Sequence, residues 1–182
     1  MEQMQFNKKQ PKIKLTIQDI ALIGLMVAVI EVCKAVLGAI PNVELTTFWL
    51  IMFTLYFGRK IIFVVPVFVL IEGFIYGIHL WWLMYLYVWP LLVLITWIFK
   101  KKESLWFCSF LAGGFGLAFG FLCSFVYVIL GCADDGISNG LQVAFAWWIT
   151  GIPWDIVYGI ANFVIMLVLY KPIKRVMTKL SL

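Results

Sequence analysis

The chain has 182 residues, 64% of them hydrophobic and only 13% charged. That balance excludes a soluble domain of this size and describes one integral membrane bundle. The net charge of +5 does not point to nucleic acid, because the basic residues sit at the ends of apolar runs.

Six apolar segments are predicted, all helical. Backbone in lipid must satisfy its own hydrogen bonds, and the runs lack the alternation of barrel strands. The first covers about 16–39 and is closed by Pro41-Asn42. It follows a basic stretch as a signal peptide would, but it is too long for one and carries Glu31 and Lys34, so a retained span is expected. The second, about 44–58, is short enough to thin the bilayer locally or to end inside protein. Arg59-Lys60 separate it from the third, about 61–78, and His79-Leu80 turn into the fourth, about 81–99. Lys100-Lys101-Lys102-Glu103 precede the fifth, about 105–131. A loop is expected over 132–140, where Asp134-Asp135-Gly136 and Asn139-Gly140 are turn residues. An aromatic stretch follows at 141–151. The sixth segment, about 152–170, is expected to open at Pro153, whose missing N–H suits a first helical turn.

The basic residues set the orientation. Lys8, Lys9, Lys12 and Lys14 precede the first span; Arg59 and Lys60 follow the second; Lys100, Lys101 and Lys102 follow the fourth; Lys171, Lys174, Arg175 and Lys179 follow the sixth. Of the 14 Lys and Arg, all but Lys34 fall on one side, which predicts cytoplasmic tails at 1–15 and 171–182. The opposite loops hold Glu44, His79, Asp134 and Asp135.

Enzyme signatures are missing. The four cysteines form no C-x-x-C pair and there is one histidine, so no metal, cofactor or disulfide framework is expected. Asp155 has no second intramembrane aspartate for a protease dyad, and no phosphate-binding loop is present. No catalytic residue is assigned.

Four features could carry binding. Ala21, Gly24, Ala28, Glu31, Ala35 and Gly38 share one face of the first span. Its small residues suit either packing inside the bundle, which spacing alone favours, or docking of another membrane subunit. Glu31 and Lys34, with Glu72 at similar depth in the third span, are charges inside a membrane. They suit a structural ion pair or recognition of a polar solute, and Lys34 could instead snorkel outward. Aromatics crowd the outer ends: Trp81, Trp82, Tyr85, Tyr87, Trp89, Tyr127, Trp147, Trp148 and Trp154. They suit an interfacial belt, or a pocket for a flat heteroaromatic molecule. Finally Asp155, Tyr158, Gly159 and Asn162 form a polar stripe on one helical face, the expected wall of a site. Trp147 and Trp148, beside the Gly151-Pro153 breaker pair, are a candidate lid.

These residues resemble a known family. Six short spans, the small-residue motif in the first, Pro41-Asn-Val-Glu-Leu45, Gly151-Ile-Pro-Trp-Asp155, Asn162-Phe163 and Lys171-Pro172 look like the substrate-binding S component of energy-coupling factor transporters. The resemblance covers nearly the whole chain. It implies a multi-pass subunit of a bacterial plasma membrane that binds a vitamin or vitamin precursor near the outer face. It further implies delivery by docking on a transmembrane T subunit energised by two ATPases, with Ala21, Gly24 and Ala28 as the docking face. Glu72, Trp82, Tyr85, Trp89, Trp148 and Asp155 are then expected in the ligand site, with Glu31 and Lys34 beside them and Asn42 and Val43 as a gate. The alternatives are a stand-alone proton-coupled carrier using Glu31, Glu72 or Asp155, and a purely structural subunit.

Overall fold

The computed structural model describes residues 15–180. Those residues contain helices and turns and no strand. The predicted N-terminal basic residues Lys8, Lys9, Lys12 and Lys14 lie outside the described residues.

Helix α1 spans Ile17–Leu37. It starts with a capping box, in which Thr16 Oγ1 accepts from the Asp19 N–H while the Asp19 carboxylate accepts from the Thr16 N–H. Helix α2, Thr46–Phe57, has nine of its residues buried, Leu50 and Ile51 fully so. At about 1.5 Å per residue, 12 residues fall short of a bilayer core, but α2 lies inside protein and needs no lipid match. A 3-10 turn, Gly58–Lys60, leads into α3, Ile61–Tyr76, and Gly58 carries the positive φ (57°) that this reversal requires. Helix α4 covers Leu80–Ile98, and a second 3-10 turn, Lys100–Lys102, precedes α5, Leu105–Leu180.

Helix α5 doubles back on itself. Gly136 has φ 82°, and the arms Leu105–Ala133 and Gly136–Lys179 run antiparallel. Their glycines allow close approach: a Cβ at Gly116 would lie 2.8 Å from the Gly159 Cα, and one at Gly131 would lie 2.7 Å from the Gly140 Cα. Two expectations are corrected here. The loop predicted over 132–140 reduces to a reversal at Gly136, with Asn139 Nδ2 donating to the Gly131 carbonyl at 3.1 Å. Nor does the last segment open at Pro153, which lies inside the helix with an exposed ring. An opened backbone costs more among apolar neighbours than one missing hydrogen bond, so the helix continues through the proline.

Five stretches are long and apolar enough to cross a bilayer: Ile17–Leu37, Thr46–Tyr76, Leu80–Ile98, Leu105–Ala133 and Gly136–Lys179. Exposed Ile20, Leu25, Val32, Phe74, Leu86, Phe110, Ile160 and Val168 give the bundle an apolar exterior, as a membrane protein requires.

The two ends differ in chemistry. At one end Lys60 pairs with Asp19 at 2.8 Å, and Glu103 gathers Tyr56 (2.5 Å), Tyr170 (2.9 Å) and Lys174 (2.8 Å). That end joins the start of α1, the end of α2, the α4–α5 junction and the end of α5. The opposite end joins the end of α1, the start of α2, the end of α3, the start of α4 and both arms of α5 near their midpoints.

Candidate functional site

At the second end the loop after α1 folds over the bundle. Asn42 takes a left-handed φ of 57°, tolerable for its short polar side chain, and the chain then enters α2. This loop carries Glu44 inward. The Tyr158 hydroxyl donates to one Glu44 oxygen, and Thr46 Oγ1 donates to the other at 3.1 Å. Thr47 Oγ1 lies 3.0 Å from the same Tyr158 hydroxyl. Burial pushes the Glu44 carboxyl above its usual range, against the pull of the Tyr158 hydrogen bond.

Beside this cluster is a cavity of about 270 Å³, bounded by Lys34, Asn42, Val43, Glu44, Tyr85, Phe119, Asp155 and Tyr158 among others. A second hollow, about 450 Å³, is lined by Lys34, Gly38, Glu72, Tyr76, Trp81 and Tyr85. Lys34, Gly38 and Tyr85 belong to both, so the two adjoin along one wall.

Lys34 is the hub of that wall. Its ammonium lies 2.5 Å from Glu72 Oε2 and donates to the Tyr85 hydroxyl at 3.3 Å. The rings of Tyr85, Tyr76, Trp81 and Phe68 stand 4.9–5.8 Å from it. Lys34 is thus bent inward onto Glu72 instead of snorkelling outward, and it still lines both hollows. Glu72 is fully buried, and the Glu31 carboxyl faces it within hydrogen-bonding reach.

Asp155 closes the other side. It accepts from the Gly120 backbone N–H at 3.0 Å, is 8% exposed, and its Oδ2 has no partner. The predicted stripe is one buried face: Asp155, Tyr158, Gly159 and Asn162 all point into the bundle. Asn162, 1% exposed, has neither amide atom paired.

The structure therefore brings together Lys34, Glu72, Tyr85 and Asp155 from the predicted site, with Asn42 and Val43 over them. Trp89 is fully buried beneath, its ring 5.2 Å from Tyr85 and 5.6 Å from Phe119, with its N–H unpartnered. Glu31 is half-buried one turn before Lys34, faces the Glu72 carboxyl, and lines neither hollow. Two tryptophans lie elsewhere. Trp82 faces α3, donating to the Val69 carbonyl at 2.7 Å over Gly73, where a Cβ would lie 2.6 Å from its Nε1. Trp148 packs edge-on against Phe121 at 5.2 Å and lines a separate apolar hollow with Phe125 and Phe145. Trp147 stacks on Tyr127 at 4.7 Å within the helix body, so neither tryptophan hangs from a hinge as a lid.

Sequence reasoning passed over Glu44 and Thr47 as site groups. The signal was present: a carboxylate two residues before a Thr-Thr pair, in a loop already placed over the pocket.

The small-residue face also resolves. Ala21, Gly24 and Ala28 are exposed, and a Cβ at Gly24 would meet nothing within 4 Å. The packing reading favoured by spacing is thus corrected, because this face looks out of the bundle.

Compared with protein-family models, curated proteins and solved structures, the chain finds no match in any of the three. Among the described residues no group of His, Cys, Asp and Glu could hold a metal ion.

Proposed function

We propose that this chain is the ligand-binding membrane subunit of a multi-subunit importer, of the energy-coupling factor S-component kind. It crosses a bacterial plasma membrane six times with both termini in the cytoplasm and takes up a vitamin or vitamin precursor. The observation that carries the reading is the hollow beneath the 38–44 loop, where Lys34, Glu44, Tyr85 and Asp155 converge. Aromatic walls with few convergent polar groups are the usual make-up of a small-molecule site. The positive-inside distribution supports an outward-facing site, since the Lys- and Arg-rich junctions gather at the other end. The exposed Ala21-Gly24-Ala28 face supports docking on a T subunit, because small residues let a partner helix approach closely. Two ATPases would supply the energy, as this chain has no nucleotide-binding motif of its own.

The Lys34–Glu72 pair favours one rival reading, because buried ion pairs in membranes also serve proton relays. Reconstitution separates the two. The purified protein should bind its ligand in detergent yet catalyse no accumulation in liposomes under a proton gradient. Proton-driven uptake by the chain alone would refute the importer-subunit assignment.

A further inference from the structure

Resting on the proposal that the hollow is a ligand site, we infer that its ligand is a flat organic cation, bearing ring-linked N–H donors. Three observations converge on this.

The first is charge. The joined hollows are lined by three carboxylates, Glu44, Glu72 and Asp155, and one ammonium, Lys34. Lys34 is already paired with Glu72 at 2.5 Å. Among the described residues Glu44 and Asp155 receive only neutral donors: Tyr158 and Thr46 for the one, the Gly120 N–H for the other. Asp155 is buried and Glu44 half-buried, and neither touches a cation directly, an arrangement that is costly unless something supplies one.

The second is unmet hydrogen bonding. Asp155 Oδ2 has no partner, and Asp155 is more than nine-tenths buried, at 8% exposed, whereas the equally buried Glu72 is faced by the Glu31 carboxyl. An unpaired carboxylate oxygen is an acceptor, so Asp155 calls for a donor on the ligand.

The third is the aromatic lining. Tyr76, Trp81 and Tyr85 already stand within 5.7 Å of the Lys34 ammonium, so these ring faces are arranged to hold positive charge. Phe119 and Tyr85 continue the aromatic wall toward Asp155. A ring on that wall puts its charged nitrogen between Asp155 and Glu44. An anionic ligand would meet the same two acids without a free counter-charge.

The test uses the whole purified protein and three probes of one shape: 4-aminoquinoline, protonated at neutral pH; quinoline, neutral; and quinoline-4-carboxylate. Equilibrium dialysis against a detergent blank gives each affinity. Small molecules released on denaturing the protein are identified by mass spectrometry alongside. The cation should bind at least about tenfold tighter than the other two, the worth of one charge-assisted contact plus a cation–π contact. Asp155→Asn should erase that preference, bringing the affinities for the cation and for quinoline together. Glu44→Gln serves the same comparison if Asp155→Asn shifts the unfolding midpoint. Preference for the carboxylate, no preference, or a released compound that is neutral or anionic overturns the cation class and leaves the binding-subunit reading standing. Absence of any probe binding together with absence of any released compound overturns both.

Discussion

The Lys34 ammonium sits 2.5 Å from Glu72 Oε2, tying α1 to α3, while Glu31, one turn earlier on α1, faces the same carboxylate. Removing the cation strands a fully buried carboxylate; removing the carboxylate leaves Lys34, 20% exposed, among four aromatic rings. Lys34→Met should therefore cost more than Glu72→Gln, about 3–5 kcal/mol in unfolding free energy against a smaller loss. The double variant Lys34→Met/Glu72→Leu should regain most of the difference, because an apolar pair leaves no charge buried. Thermal unfolding in detergent measures the cycle. Additive losses would show that the pair carries no coupling.

Tyr158 ties α5 to the loop over the site by donating to Glu44 and meeting Thr47. Tyr158→Phe keeps the ring and deletes the hydroxyl, leaving a half-buried carboxylate with one donor fewer. A loss of about 1–2 kcal/mol in stability is expected for a partly buried acceptor deprived of its donor. Because the loop roofs the hollow, ligand dissociation should also quicken. Stopped-flow release from the variant checks this, and an unchanged off-rate would mean that the loop is no gate.

Tyr85 and Trp148 divide the aromatic residues into site and scaffold. Tyr85 borders both hollows, whereas Trp148 borders an apolar one sharing no residue with them. Tyr85→Leu should weaken ligand binding by about tenfold, as expected for loss of an aromatic face and a hydroxyl. Trp148→Ala should leave the affinity unchanged. Calorimetric titration of both variants decides it, and a Trp148→Ala defect matching that of Tyr85→Leu would mean the ligand sits between the arms of α5 instead.

The contrast shows what a sequence of this kind makes legible. Apolar runs of bilayer length named the helices, and the period of 3.6 placed Asp155, Tyr158 and Asn162 on one buried face. Rotation of a helix that is apolar all round is not encoded in such a pattern. Trp81 and Trp82 are neighbours, yet one lines the site and the other caps Gly73. Pro153 illustrates the same limit from another side. Local chemistry reads it as a helix start, while an apolar environment holds the helix through it. Glu44 was hidden because loop backbone, with Asn42 in a left-handed conformation, decides which way a loop carboxylate turns.

Two carboxyls outside the spans should give opposite pH dependences. Burial raises the Glu103 carboxyl, but hydrogen bonds from Lys174, Tyr56 and Tyr170 outweigh it and hold the group below its usual range. Its stabilisation is present above the unfolded carboxylate value and fades as pH falls through the lower folded one. Burial leaves Glu44 raised despite the Tyr158 hydrogen bond. The folded protein holds this proton more tightly than the unfolded chain does, so its contribution is present below the unfolded value and lost as pH rises through the folded one. Unfolding midpoints of the ligand-free protein across pH should lose their acid-side slope in Glu103→Gln and their slope above it in Glu44→Gln. Identical profiles for the two variants would contradict this assignment.

Gly120 holds Asp155 in place through its backbone N–H, and a methyl group there would occupy the space of the carboxylate. Gly114 lies six residues earlier on the same arm, where a Cβ would meet nothing within 4 Å. Gly120→Ala must therefore push Asp155 away or part the arms of α5, at about 1–3 kcal/mol for overpacking. Gly114→Ala should be neutral or slightly stabilising, since alanine is the better helix former. If the Asp155 carboxylate reads the ligand, Gly120→Ala should also reduce affinity to the level of Asp155→Asn, and combining the two should add little. Titration of both single variants and the double variant measures that coupling. A fully additive loss would separate the packing role of Gly120 from the binding role of Asp155.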